Sequence, residues 1–197
     1  MALKLKASSI EGREMTPAGT YKALLMGIFD IGTQQGQYGP KRQCVVQWEL
    51  HKKGLEKPYQ MSKWYGLSFN VKSKLRIDME AMLGRTFKDG EEFDLESLLE
   101  KPCRIQVVQG SKADGSPRDE IKSLMPLDDD DAPPKAVGNT VYFEISGPGC
   151  DIPSDVPKFV AEKIRSAPEW TGHAADVGSG NGAKAAVVDP DDDDPPF

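Results

Sequence analysis

The sequence predicts a mainly β domain, then a small strand-and-helix appendage and an acidic tail. Three observations carry that expectation. Short apolar segments alternate with period two, one segment of helical period lies among them, and charge and composition change after residue 127. A chain of 197 residues holds one domain with a real core and an appendage or two. Apolar residues at 38% and charged residues at 28% fit a globular protein, while 15 Pro and 19 Gly mark substantial loop or tail.

The turn signal Pro17-Ala18-Gly19 precedes a first strand, Tyr21 to Ile31, and Gly32 to Pro40, rich in Gly and Gln, reads as a flexible loop. From Arg42 to Leu50 the alternation is clean: Cys44, Val46, Trp48 and Leu50 share one face, Gln43, Gln47 and Glu49 the other. A turn at Lys52-Lys53-Gly54 leads to a third strand, Tyr59 to Ser68, where Met61, Tyr65 and Leu67 oppose Gln60, Ser62, Trp64 and Ser68. Asn70 is placed to cap a helix through Val71, Leu75, Met79 and Met82 or Leu83, and Gly84 to stop it. Asp94 caps a short turn at Leu95 to Leu99. Strand four follows from Cys103 to Gln109, then a turn at Ala113-Asp114-Gly115, then strand five from Asp119 to Pro126.

Three strands, a helix and two strands is the order of the OB fold, a five-stranded Greek-key barrel with a helix between strands three and four. Residues 1–127 are therefore assigned to that barrel. The Asp- and Pro-rich stretch 128–136 is expected to be a linker, because clustered like charges and prolines resist packing. Residues 137–170 are read as an appendage packing on the barrel, with a strand at Val141 to Ile145 and a helix capped by Asp155 through Val156, Phe159, Val160 and Ile164 to about Ser166. Residues 171–197, Gly-, Ala- and Asp-rich, are expected to be a disordered acidic tail.

The net charge of −6 conceals a partition. Up to Leu127 there are 20 Lys and Arg against 16 Asp and Glu, a balance of +4, and beyond it 5 against 15, a balance of −10. Between Lys41 and Lys88 the balance is 11 against 4, or +7, so a basic segment sits within an acidic chain. Cys44, Cys103 and Cys150 lie far apart without paired spacing, so neither zinc nor a disulfide is expected, and Cys44 and Cys103 read as core thiols. No apolar run approaches a membrane span and Met1 to Ile10 lack the long apolar stretch of a secretory signal, so the expected location is the cytoplasm.

Single strands bind through a positive groove that follows phosphates and aromatic rings on which bases stack. Trp64, on the polar face of strand three, is the leading stacking candidate; a bulge at Lys63 would instead turn it inward. Trp48 falls on an apolar face and reads as core. Tyr38 is a second stacking candidate, in a loop shared with Lys41 and Arg42, and Tyr59 and Tyr65 rank below it. Lys63, Lys72, Lys74 and Arg76 are the phosphate candidates, with Lys52, Lys53 and Lys57 in the preceding turn. Each alone is an ordinary solvated charge, and only clustering gives them meaning.

The chain ends Asp-Pro-Asp-Asp-Asp-Asp-Pro-Pro-Phe, acid followed by a terminal aromatic ring, suited to a basic-rimmed apolar pocket on a partner. In Asp192, Asp193, Asp194, Pro196 and Phe197 this tip resembles that of bacterial and phage-encoded single-stranded DNA-binding proteins. Pro195 stands where those tips carry Ile or Leu. The run Tyr65 to Arg76 is similar to phage-encoded OB-fold strand binders. The resemblance implies sequence-independent coating of single-stranded DNA in replication or recombination and recruitment of partner proteins by the tip, and, for a phage-encoded protein, the bacterial host's cytoplasm; assembly into a homo-oligomer is left open by the sequence. No catalytic motif is present and no cofactor is expected. The alternatives are an OB-fold adaptor between proteins and, second, a metal-dependent nuclease using Asp78, Glu80 and Asp119.

Overall fold

The first strand organises the molecule. In the computed structural model, which describes residues 15–36, 39–112 and 115–172, β1 runs over Gly19–Gly36. It pairs antiparallel with β2 (Gly39–His51) along most of its length, from Lys22↔His51 to Gly36↔Gly39. Its other edge is shared. The first part, Gly19 to Leu24, pairs antiparallel with β4 (Pro102–Ser111), and Gly27 to Phe29 pair parallel with β6 (Val141–Phe143). The change of partner coincides with a register shift between Leu25 and Gly27, as expected where an extra residue bends a strand and raises its twist. A Cβ on Gly27 would lie 2.5 Å from the ring of Phe29, so any larger residue there forces that buried ring to move.

With β3 (Tyr59–Gly66) on β2 and β5 (Pro117–Pro126) on β4, the order is β3-β2-β1-β4-β5, and β6 joins β1 off that path. The protein is thus mainly β, a six-stranded, largely antiparallel sheet with few helices. Helix α1 (Lys74–Leu83) packs against β5 and, less extensively, β3 and β4. Its Asp78 accepts hydrogen bonds from Lys63 Nζ (2.7 Å) and Tyr65 Oη (2.9 Å) of β3, and a Cβ on its C-cap, Gly84, would lie 2.8 Å from Pro126 of β5. One inner core takes side chains from β1 to β5 and from α1, among them Trp48, Leu50, Met79 and Ile105.

Several boundaries differ from the sequence expectation for local reasons. Within the segment expected to be a loop, Gly32 to Gly36 and Gly39 to Pro40 are strand, continuing β1 and β2 as a paired arm. Helix α1 begins later than Asn70 predicts, because Ser73 Oγ accepts from Arg76 N (3.3 Å) while Asn70 Oδ1 closes a turn onto Lys72 N (3.0 Å). Val71 is therefore outside the helix and 62% exposed. The Asp94 cap is found, on a short 3-10 turn at Leu95–Leu98. Asp155 caps nothing, accepting instead from Asn139 Nδ2 (3.0 Å); the next helix, α2 (Lys158–Ser166), starts after Pro157.

Beyond β5 the chain crosses the outer face of the sheet. Asp128 and Asp131, expected to lie in a free linker, pair with Arg104 of β4, and Asp131 also with Lys22 of β1. Next, Val137 N and Gly138 N donate to the carboxylate of Glu49 (3.0 and 2.6 Å). β6 then adds to β1, and α2 and a short α3 (Pro168–Thr171) lie over the far end. This segment closes a second core in which Phe29, Ile31 and Val45 meet Phe143, Val160 and Ile164. Among the described residues no helix is long and apolar enough to cross a membrane.

Candidate nucleic-acid interface

Trp64 lies opposite Val45 on the outer face of β3, with no bulge in that ladder to reverse it. It is neither core nor fully open. The second core backs it, Phe159 of α2 stands beside it with ring centroids 6.5 Å apart at 39°, and Lys163 Nζ sits 5.8 Å from its ring centroid. Phe159 is 44% exposed, although most large apolar side chains of the second core are sealed. The reason is its phase on α2: Val160, Ala161 and Ile164 form the buried stripe, and Phe159 falls beside it, next to Lys158 and Lys163.

The arm formed by β1 and β2 meets this pair at its root. Gln34 Nε2 donates to Ile31 O (2.7 Å) and to Lys163 O (3.2 Å), so Lys41, which lies opposite Gln34, comes to the same end of the molecule as Trp64 and Phe159. An exposed ring, a half-covered indole and a lysine over it form a platform on which a base can stack while its phosphate meets a cation. Tyr38 lies outside the described residues, as do Asp192, Asp193, Asp194, Pro196 and Phe197.

Arg42 stands at the root of the same arm, opposite Thr33, and the remaining basic candidates are placed elsewhere. Arg42 is bound through its guanidinium to Asp30, and that hydrogen bond raises its pKa above the ordinary arginine value. Asp30 is buried and also accepts from Gly32 N (3.0 Å), tying the arm to its base. Lys63 lies on the inner face, held by Asp78, and burial, with Asp78 adding to it, pushes the hydroxyl of Tyr65 well above its usual range. Lys74 Nζ is 3.8 Å from the same carboxylate. Arg76 is buried and joins Glu80 Oε1 (3.0 Å) to the carbonyl of Phe87. These three cations belong to α1 and its junctions, away from the Trp64 pair, because period two turns Lys63 inward when Trp64 faces out. Lys72 is exposed in the turn before α1, and Lys52, Lys53 and Lys57 are exposed between β2 and β3.

The carboxylates weighed for a nuclease do not converge. Asp78 serves Lys63 and Tyr65, Glu80 serves Arg76 and Phe87 N, and Asp119 accepts from Thr16 N (2.8 Å). Among the described residues no group of three His, Cys, Asp or Glu side chains is placed to hold a metal ion. Sequence reasoning missed Phe159 and Lys163 as site residues; the signal was present in an aromatic residue set off the apolar stripe of a basic helix. No protein-family model matches the chain, and no curated protein matches it either.

Proposed function

We propose that the protein binds single-stranded DNA without sequence preference, on an OB-type barrel, in replication or recombination. The observation that carries this reading is the platform of Trp64, Phe159 and Lys163 at the root of the β1–β2 arm. Such a platform suits unpaired bases, because every base has a face to stack and a duplex does not present it. The strand order β3-β2-β1-β4-β5 with a helix between β3 and β4 supports the barrel type. In this reading the chain has no catalytic step, and the acidic tip ending at Phe197 recruits partner proteins, as its resemblance to strand-binding proteins implies.

The test is fluorescence anisotropy of labelled oligo-dT, with duplex as competitor, on the full chain and on Trp64→Ala and Phe159→Ala. The expected result is salt-sensitive binding that duplex does not compete away, weakened by about 1–3 kcal/mol in each variant. A folded chain that does not bind the strand ends this reading and leaves the adaptor role.

A further inference from the structure

Lys22 and Arg104 are direct cross-strand partners on β1 and β4, and His51 of β2 lies opposite Lys22 on its other side. Like charges directly opposite each other in a sheet repel, so an anion laid across the pair stabilises it. The protein supplies one from its own chain. Asp131 places Oδ1 2.8 Å from Lys22 Nζ and Oδ2 2.6 Å from Arg104 Nη2, and Asp128 Oδ2 lies 2.7 Å from the same Arg104 nitrogen. The carbonyl of Ala132 accepts from Lys22 Nζ at 3.3 Å. One carboxylate thus bridges two cations with one oxygen on each, as the two non-bridging oxygens of a phosphodiester would. Lys22 Nζ and then Arg104 hold the Asp131 carboxyl below its ordinary range.

The contact is ordered but not sealed. The four side chains keep 38% and 32% exposure for Lys22 and Arg104, and 24% and 61% for Asp131 and Asp128. Ion pairs this open are individually weak and exchange readily for a competing anion. We propose that Lys22 and Arg104 form a second binding site for the phosphodiester backbone of a single strand, and that the acidic run Asp128–Asp131 is its built-in competitor, displaced when the strand arrives. The proposal rests on the strand-binding reading above and adds a site to it. The run then makes binding harder at low salt, where bare cations would otherwise attract nucleic acid most strongly.

The experiment is the same anisotropy titration on the full chain at several salt concentrations, comparing wild type with Asp128→Asn/Asp131→Asn. Freeing two cations for phosphate should tighten low-salt binding and steepen the slope of log affinity against log salt by about 1.4, since each single-strand phosphate contact contributes about 0.7. That is roughly a sevenfold greater loss of affinity for a fourfold rise in salt. Adding Lys22→Gln and Arg104→Gln to the double variant should return the slope to that of wild type. Asp128→Asn alone, at the more exposed of the two carboxylates, should give part of the change in a chain that still folds. If wild type binds and Trp64→Ala weakens it, while the Asn variants leave affinity and slope unchanged, the run is a structural staple and this proposal alone falls. If neither wild type nor the double variant binds, both readings fall together.

Discussion

On the inner face of β2, Cys44, Val46, Trp48 and Leu50 are buried by the sheet's own strands and by α1. On the outer face Val45 and Glu49 are just as deeply buried, at 0% and 1% exposure, although the residues around them are Gln43, Gln47 and His51. The difference lies in what covers each face. The inner core is made by the five strands and the helix that alternation and helical period mark in the sequence, whereas the outer one is completed by residues 137–167, laid across β1 and β2 from nearly a hundred positions along the chain. A face that reads as solvated in a strand's own pattern is a buried interface once a later segment arrives.

The sharpest way to break the comparison is to shorten one isoleucine on each side. Ile105 is fully buried in the inner core and Ile164 in the outer. Each substitution by Ala should cost about 2–5 kcal/mol in denaturant unfolding, in a single transition, if the two cores form one cooperative unit. A loss below about 1 kcal/mol for Ile164→Ala, or a separate early transition, would make the outer segment a detachable cover.

Glu49 probes the same seam at a polar point. Its carboxylate accepts from Val137 N, Gly138 N and Gln60 Nε2 (3.1 Å), so it pins the start of the crossing segment to β2. Glu49→Leu keeps the bulk and leaves those donors without their acceptor. The expected cost is about 1–3 kcal/mol, with faster proteolytic cutting near residue 137 as the local readout. Unchanged stability and unchanged cutting would mean that apolar packing alone holds the segment.

How much of this was legible in the sequence follows the same division. The strands, the Gly84 stop, the Asp94 cap and the core place of Trp48 all follow from period and turn chemistry within a few residues. The arm was hidden because glutamine and glycine favour loops on their own, and only pairing of β1 with β2 makes that stretch a strand. Trp64 could be placed on the outer face by alternation, but not beside Phe159, because nothing in either strand or helix states which distant segment lands there. The basic candidates divided for a similar reason. Lys63 and Arg76 are basic in sequence, yet Asp78 and Glu80, on the same helix turn, hold them as structural partners.

The smallest effect expected concerns the thiols, and it compares the two cores without altering either. Burial pushes Cys44 and Cys103 up to about 12, so on the inner side almost no thiolate exists near neutral pH and reagent has no access. Cys150 lies against the outer core, only partly covered, in a turn where Gly147 O accepts from its own N–H and its carbonyl accepts from Trp170 Nε1 (3.0 Å). Alkylation of the native chain should therefore modify Cys150 alone, and all three thiols should react once denaturant is added. Protection of Cys44 and Cys103 should be lost at the global unfolding rate, while that of Cys150 should already be partial in water. If the inner thiols react in native buffer as fast as Cys150, the inner core opens locally and the contrast between its sealed thiols and the half-covered Cys150 at the rim of the outer core is wrong.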